Sequence, residues 1–122
     1  MSNKTKSILQ WTLAGLIGMI FLGSAINKFI GSEETVQMAA GIGLTLSTLK
    51  ILGAVELISI ILFLIPRTGI LGTMLLTAYM GGAIFAHLGN GHPILSAVII
   101  QALLWIAAVV RFPALTQTLK GV

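Results

Sequence analysis

The chain has 122 residues, of which 57% are hydrophobic and only 8% are charged, and its formal net charge is +4. Soluble domains carry about 25% charged residues, and small ones bury only about 60–70% of the surface that the unfolded chain exposes. The composition therefore excludes an ordinary soluble domain and predicts a single integral membrane domain over residues 1–122. The absence of cysteine excludes disulfides and thiol chemistry, and the few, scattered charges exclude a nucleic-acid surface.

The first apolar run covers residues 8–29 and follows two basic residues, Lys4 and Lys6. Secretory signal peptides also begin with basic residues, but their apolar core is only about 7–15 residues long. This run is longer, and further apolar runs follow it. We therefore predict that it is the first transmembrane helix.

The longest connection follows this helix. Ser32, Glu33 and Glu34 are typical of a helix N-cap followed by acidic residues in the first turn. We predict a short interfacial helix over about residues 32–43. A lid over a binding site is the alternative interpretation of this segment.

Three further apolar runs are long enough for membrane helices, and turn or proline signals separate them. They predict helices over about residues 46–65, 69–88 and 93–111. Pro93 is expected in the first turn of the last helix, where its missing N–H costs little. Because no run shows the alternation of a membrane β-strand, the predicted fold is all-α, a four-transmembrane-helix bundle with an interfacial helix in the first, outer loop.

Basic residues predict the orientation of this bundle. An even number of crossings places both termini on one side, together with five basic residues, which are Lys4, Lys6, Arg67, Arg111 and Lys120. The other side carries Lys28 and Lys50, offset by two glutamates. By the positive-inside rule we expect a multi-pass protein of the plasma (inner) membrane with both termini in the cytoplasm.

Small residues recur every fourth position on two of the predicted helices. Ala78, Gly82 and Ala86 form such a stripe on the third helix, and Ala14 and Gly18 form one on the first. Small residues let helix backbones approach closely in lipid, so both stripes are interpreted as packing surfaces.

Glu56 lies in the middle of the second apolar run, where a carboxyl group costs a few kcal/mol unless it is paired or protonated. It marks either a functional site or a structural pair. At a rise of about 1.5 Å per residue, Glu56, Tyr79 and Gln101 each lie about 12–13 Å below the outer ends of their helices. Three polar side chains at one level predict a shared polar interior.

A basic and imidazole rim is expected above this level. Lys28 is long enough to reach down to Glu56, and His87 is a candidate proton carrier because imidazole exchanges protons near neutral pH. Lys50 is interpreted as an interfacial anchor and His92 as a turn residue. We predict no metal site, since zinc needs about three protein ligands and Glu56 lies too deep to join the two histidines.

These residues lie in stretches that resemble the DoxX-like family of small four-helix membrane proteins. The stretches are AINKF at residues 25–29, LKILGAVE at 49–56, Pro66-Arg67, YMGGAIFAH at 79–87, and Trp105. The resemblance covers about residues 8–112. It implies that Lys28, Glu56 and His87 are the recurrent polar residues of the bundle.

The resemblance also implies a function. The family is named after a membrane subunit associated with a thiosulfate–quinone oxidoreductase, and other relatives have been linked to redox-stress complexes. The leading hypothesis is therefore an outward-opening pocket that binds a lipophilic, quinone-type molecule. The chain would then be a membrane subunit of a quinone-dependent oxidoreductase, with a partner redox subunit, no cofactor of its own and no catalysis alone.

The candidate site follows from this hypothesis. It consists of two catalytic, proton-handling residues, Glu56 and His87, and four ligand contacts, which are Lys28, Tyr79, Gln101 and Trp105. Two other functions stay open: a proton-coupled small-molecule carrier that uses Glu56, and a structural membrane partner without its own activity. Membrane lipid is an expected partner in each case, and a homo-oligomer is left open.

Overall fold

The computed structural model describes residues 2–121, and it contains helices but no strand within that range. The helices of this range follow one another in this order: α1 Asn3–Ile30, α2 Glu33–Ala40, α3 Leu46–Leu64, the 3₁₀ helix Pro66–Thr68, α4 Gly69–Gly89, α5 Leu95–Arg111 and α6 Pro113–Leu119.

Three features of these helices differ from expectation. α1 begins well before residue 8, because the Ser2 hydroxyl caps it by accepting a 3.1 Å hydrogen bond from the N–H of Thr5. Pro93 was expected in the first turn of the last helix, which is wrong: α5 begins at Leu95, after the proline. The chain then turns at Phe112 into the unexpected helix α6, whose first residue is Pro113.

The helices have the length and apolarity of membrane spans. α1, α3 and the segment Pro66–Gly89 are each long and apolar enough to cross a membrane. α5 and α6 make a fourth such span only when they are taken together, and they are bent by 106° where they meet. The described chain is therefore an all-helical membrane protein with three to four apolar spans.

The four long helices contact one another in a ring, in which α1 and α4 each pack against both α3 and α5. We call the end with the first turn of α1, the 3₁₀ helix and α6 the closed end, and the opposite end the open end. The apolar core lies towards the closed end. Its buried members are Ile17, Phe21, Ile60, Phe63, Leu76, Met80, Leu104, Ala107, Ala108 and Phe112.

Arg111 fastens the closed end. Its guanidinium group donates hydrogen bonds to the carbonyl oxygens of Phe63 at 2.8 Å and Leu64 at 3.2 Å, which are the last carbonyls of α3. Carbonyls at a helix C-terminus have no partner within the helix, so Arg111 caps α3 from α5. The guanidinium carbon also lies 4.9 Å from the centroid of the Phe63 ring, within the range of a cation–π interaction.

Glycine makes the α3–α4 hairpin possible at this end. A Cβ added at Gly72 would overlap the backbone nitrogen of Phe63, so only glycine lets the two helices lie this close. Gly81, further along α4, is different, since a Cβ added there would meet nothing within 4 Å.

These two glycines give a matched prediction. Gly72→Ala forces the hairpin apart, and overpacking of this kind costs about 1–3 kcal/mol. Gly81→Ala removes a flexible residue from a helix without a clash and should leave stability unchanged or raise it by up to about 1 kcal/mol. Thermal unfolding of both variants in one detergent measures the difference, and equal midpoints would contradict the tight packing at Gly72.

Candidate functional site

Lys28 of α1 and Glu56 of α3 form an ion pair within the helix ring. The lysine Nζ lies 3.0 Å from Oε1 of Glu56 and donates a second hydrogen bond, of 2.6 Å, to the hydroxyl of Ser24. The Glu56 side chain is 2% exposed and that of Lys28 is 17% exposed. The lysine thus reaches the carboxylate, as its length allows, and neither charge lies alone in an apolar environment.

Gly53 sets the distance between the two helices that carry this pair. A Cβ added at Gly53 would lie 3.1 Å from Cβ of Lys28 and 3.3 Å from the carbonyl oxygen of Ala25. Lys28 therefore lies opposite Gly53, about one helical turn nearer the open end than Glu56. Its side chain runs along α3 towards the closed end to meet the carboxylate.

Tyr79 brings a third helix to the pair. Its ring centroid lies 5.6 Å from Nζ of Lys28, within the range of a cation–π interaction. We call Ser24, Lys28, Glu56 and Tyr79 the polar cluster. It joins α1, α3 and α4 at one level.

A cavity of about 1010 Å³ opens beside the polar cluster, and all four cluster residues line it. The rest of its wall is mainly apolar and comes from α1, α3, α4, α5 and the connection between α1 and α3. The residues from the connection are Thr35, Met38, Ala39, Ile42 and Leu44. The connection therefore covers part of the cavity, as the lid interpretation requires.

The connection forms a wall because α1 is short at the open end. Lys28 of α1 lies opposite Gly53 of α3. From this level towards the open end, α1 continues for only about 3 Å, to Ile30, whereas α3 continues for about 10 Å, to Leu46. Beyond the end of α1, the connection, with α2 in its middle, provides residues of the cavity wall.

Small residues on α4 provide much of the space. Ala78, Gly82 and Ala86 line the cavity, and a Cβ added at Gly82 would meet nothing within 4 Å. The interpretation of this stripe as a packing surface is wrong, because it borders space rather than a neighbouring helix. The stripe on α1 does pack: Ala14 is buried, and a Cβ at Gly18 would lie 3.4 Å from the Leu64 side chain.

Two histidines lie at the open end of the cavity. His87 lines the cavity, and its Nδ1 is buried without a hydrogen-bond partner among residues 2–121. His92 is exposed, and its ring centroid lies 5.9 Å from that of His87. Nε2 of His92 lies 3.2 Å from the carbonyl oxygen of Gly41, so the α4–α5 turn contacts the end of α2.

The structure does not bring Gln101 and Trp105 to the cavity wall. Gln101 has a buried Oε1 without a hydrogen-bond partner in the described part of the chain, and Trp105 donates a 2.9 Å hydrogen bond from its indole to the hydroxyl of Thr77. α5 instead presents Ala97 and Ile100 to the cavity. Both side chains face the bundle, since Oε1 of Gln101 is buried and Trp105 bonds to α4, but neither lies on the cavity wall, so their contact with a ligand stays a prediction.

Ser24 is a member of the polar cluster that the sequence prediction missed. It precedes Lys28 by four residues, so the two side chains lie on the same face of α1. A hydroxyl at this spacing from a lysine inside an apolar helix is the signal that identifies it.

The chain was compared with known families, curated proteins and solved structures. The chain matches the model of the DoxX-like family over residues 12–111, a range that includes the whole polar cluster and both histidines. Neither the search of curated proteins nor the search of solved structures gave a match.

The ion pair predicts a coupled loss of stability. Lys28→Met leaves the Glu56 carboxylate buried without its partner, and breaking a buried pair in this way costs about 3–5 kcal/mol. Replacing both residues by methionine removes both charges and should recover most of that loss. Lys50→Met, at an exposed lysine of α3, is the control and should change stability by less than about 0.5 kcal/mol. Thermal unfolding measures all four proteins, and a double variant as unstable as Lys28→Met would contradict the pairing.

Proposed function

This chain belongs to the DoxX-like family, and we propose that it is a membrane subunit that binds a lipophilic, quinone-type molecule in the cavity beside the polar cluster. One observation carries the proposal: a buried ion pair, Lys28 with Glu56, lies on the wall of a cavity that is otherwise mainly apolar. Ligand pockets typically combine apolar walls with a few polar groups, and this cavity is as large as the larger ones, which reach about 1000 Å³.

The polar cluster suits both forms of a quinone. The Lys28 ammonium has three N–H donors, of which Glu56 and Ser24 accept two. The third can donate to a quinone carbonyl. The ion pair uses Oε1 of Glu56, and Oε2 can accept a hydrogen bond from a quinol hydroxyl.

Proton handling is assigned to Glu56 in the polar cluster and to His87 nearer the open end. The chain offers the ligand a binding site and a route for protons. In this proposal a partner subunit of the membrane redox system exchanges electrons with the bound molecule.

The packing favours a binding subunit over a proton-coupled carrier. A carrier would have to open the closed end, where the apolar core and the Arg111 cap of α3 lie. Binding from the open end requires no such rearrangement. A purely structural role would need the ion pair but not the cavity beside it.

The proposal includes a topology of four crossings. α5 has 17 residues and is about 26 Å long, close to the roughly 30 Å hydrocarbon thickness of a bilayer. With four spans both termini lie at the closed end, as does Arg67 of the 3₁₀ helix. The positive-inside rule then places the closed end in the cytoplasm of a plasma-membrane protein, and the cavity faces outward.

Quinone binding tests the proposal directly. We expect saturable binding of a decyl-substituted benzoquinone to the purified protein in lipid nanodiscs, and a loss of about tenfold or more in affinity for Glu56→Gln. Hydrogen bonds to charged groups contribute about 1.5–3 kcal/mol, which corresponds to at least a tenfold change. Titration calorimetry measures the affinity.

A matched control separates this effect from a general one. Glu34→Gln makes the same chemical change at an exposed residue of α2 outside the cavity wall and should bind as the unmodified protein does. Absence of saturable binding by the unmodified protein would disprove the proposal, and so would unchanged affinity in a folded Glu56→Gln protein.

The topology is tested with single cysteines, because the natural chain has none. Gln37→Cys in α2 and Gln117→Cys in α6 replace exposed glutamines at opposite ends of the bundle. A membrane-impermeant maleimide added to intact cells should label only Gln37→Cys, and both proteins should be labelled after the membrane is opened. Labelling of Gln117→Cys in intact cells would overturn the orientation.

A further inference from the structure

We propose that the ligand carries a second polar group, which hydrogen-bonds to His87 near the open end of the cavity. This inference rests on the proposed function and names the class of molecule more closely. The ligand would be a quinone-type ring attached to an apolar chain that ends in a hydroxyl or a similar group. The ring binds at the polar cluster, and the end of the chain binds at His87.

The unpartnered nitrogen of His87 is the first observation. Nearly all buried polar atoms of proteins have a hydrogen-bond partner, and each exception needs an explanation. Nδ1 of His87 is buried without one in the described chain, and the same side chain lines the cavity. A rotation of the ring, which already borders the cavity, would turn this nitrogen towards a ligand group that supplies the missing partner.

The spacing along α4 is the second observation. Tyr79 and His87 both line the cavity and are eight residues apart, which is about 12 Å along a helix. Between them the wall is made by Gly82, Ala83 and Ala86, which are too small to fill the space. The wall thus has a polar group at each end and an apolar stretch with room for a chain between them.

The open end has further polar groups. Thr35 of α2, Thr48 in the first turn of α3 and Ser96 in the first turn of α5 also line the cavity. They make this end suitable for a polar chain terminus rather than for an alkyl end. The imidazole nitrogen donates or accepts according to its tautomer, and a hydroxyl can serve in either role.

Two probes that differ only at the end of the chain test this inference. One is a benzoquinone with a decyl chain, and the other is the same ring with a 10-hydroxydecyl chain. Binding is measured in lipid nanodiscs and expressed per amount of probe dissolved in the lipid. We expect the hydroxylated probe to bind about fivefold more tightly to the unmodified protein, the change that one ordinary hydrogen bond provides.

Variants at the two histidines assign the preference to its residue. His87→Leu should reduce the ratio of the two affinities, hydroxylated probe over decyl probe, to about one. His87→Gln keeps a donor and an acceptor, so it should retain part of the preference. His92→Leu is the control for the neighbouring imidazole: His92 packs edge-on against the His87 ring but is exposed and not on the cavity wall, so this variant should keep most of the preference. Because membrane partition is the same for every variant, the change in the ratio reports on the site.

The outcomes are distinguishable. If both probes bind equally well to the unmodified protein, the second polar contact is wrong, and the quinone site stands. If neither probe binds, the proposed function fails and this inference fails with it. If the preference survives in folded His87→Leu and His87→Gln proteins, another residue makes the contact and the assignment to His87 is overturned.

Discussion

A charge buried among apolar helices must have a partner, and in this protein that requirement joins α1 to α3. Lys28 and Glu56 form an ion pair, and the Ser24 hydroxyl accepts a second hydrogen bond from the lysine. The Tyr79 ring lies within cation–π range of the ammonium group. A side chain at position 53 would press on Cβ of Lys28 and on the carbonyl oxygen of Ala25, so glycine favours this close approach. From this contact α3 extends further towards the open end than α1 does, and the cavity lies on that side.

The two ends of the helix ring serve different purposes. The closed end holds the apolar core, the α3–α4 hairpin and the arginine that caps α3, so the closely packed apolar side chains are concentrated there. The open end has small residues on α4 and a connection in place of helix on α1, and it is hollow. A closely packed half thus supports an open half, and the proposed ligand would bind in the open half.

The long helices and the ion pair could be predicted from the sequence, because lipid imposes simple rules on composition and burial. Apolar runs of membrane length predict the long helices, and a lone intramembrane carboxyl predicts a partner of lysine's reach. Direction around a helix is harder to predict. Gln101 faces the bundle but is not on the cavity wall, and the small-residue stripe of α4, which is predicted to pack, borders space instead. The hydrogen bonds by which Arg111 caps α3 were also not predicted, because a basic residue at a helix end is equally typical of the positive-inside rule.

The short outer end of α1 has a consequence for variation of this protein. Part of the cavity wall belongs to a segment bounded by Gly31 and Gly43, both of which have positive φ, rather than to a membrane span. A membrane span cannot change length freely, because the bilayer sets it. A surface connection can gain or lose residues at little cost. The size and shape of the cavity can therefore diverge between proteins by replacement of this one segment, while the buried pair and the closed end stay as they are.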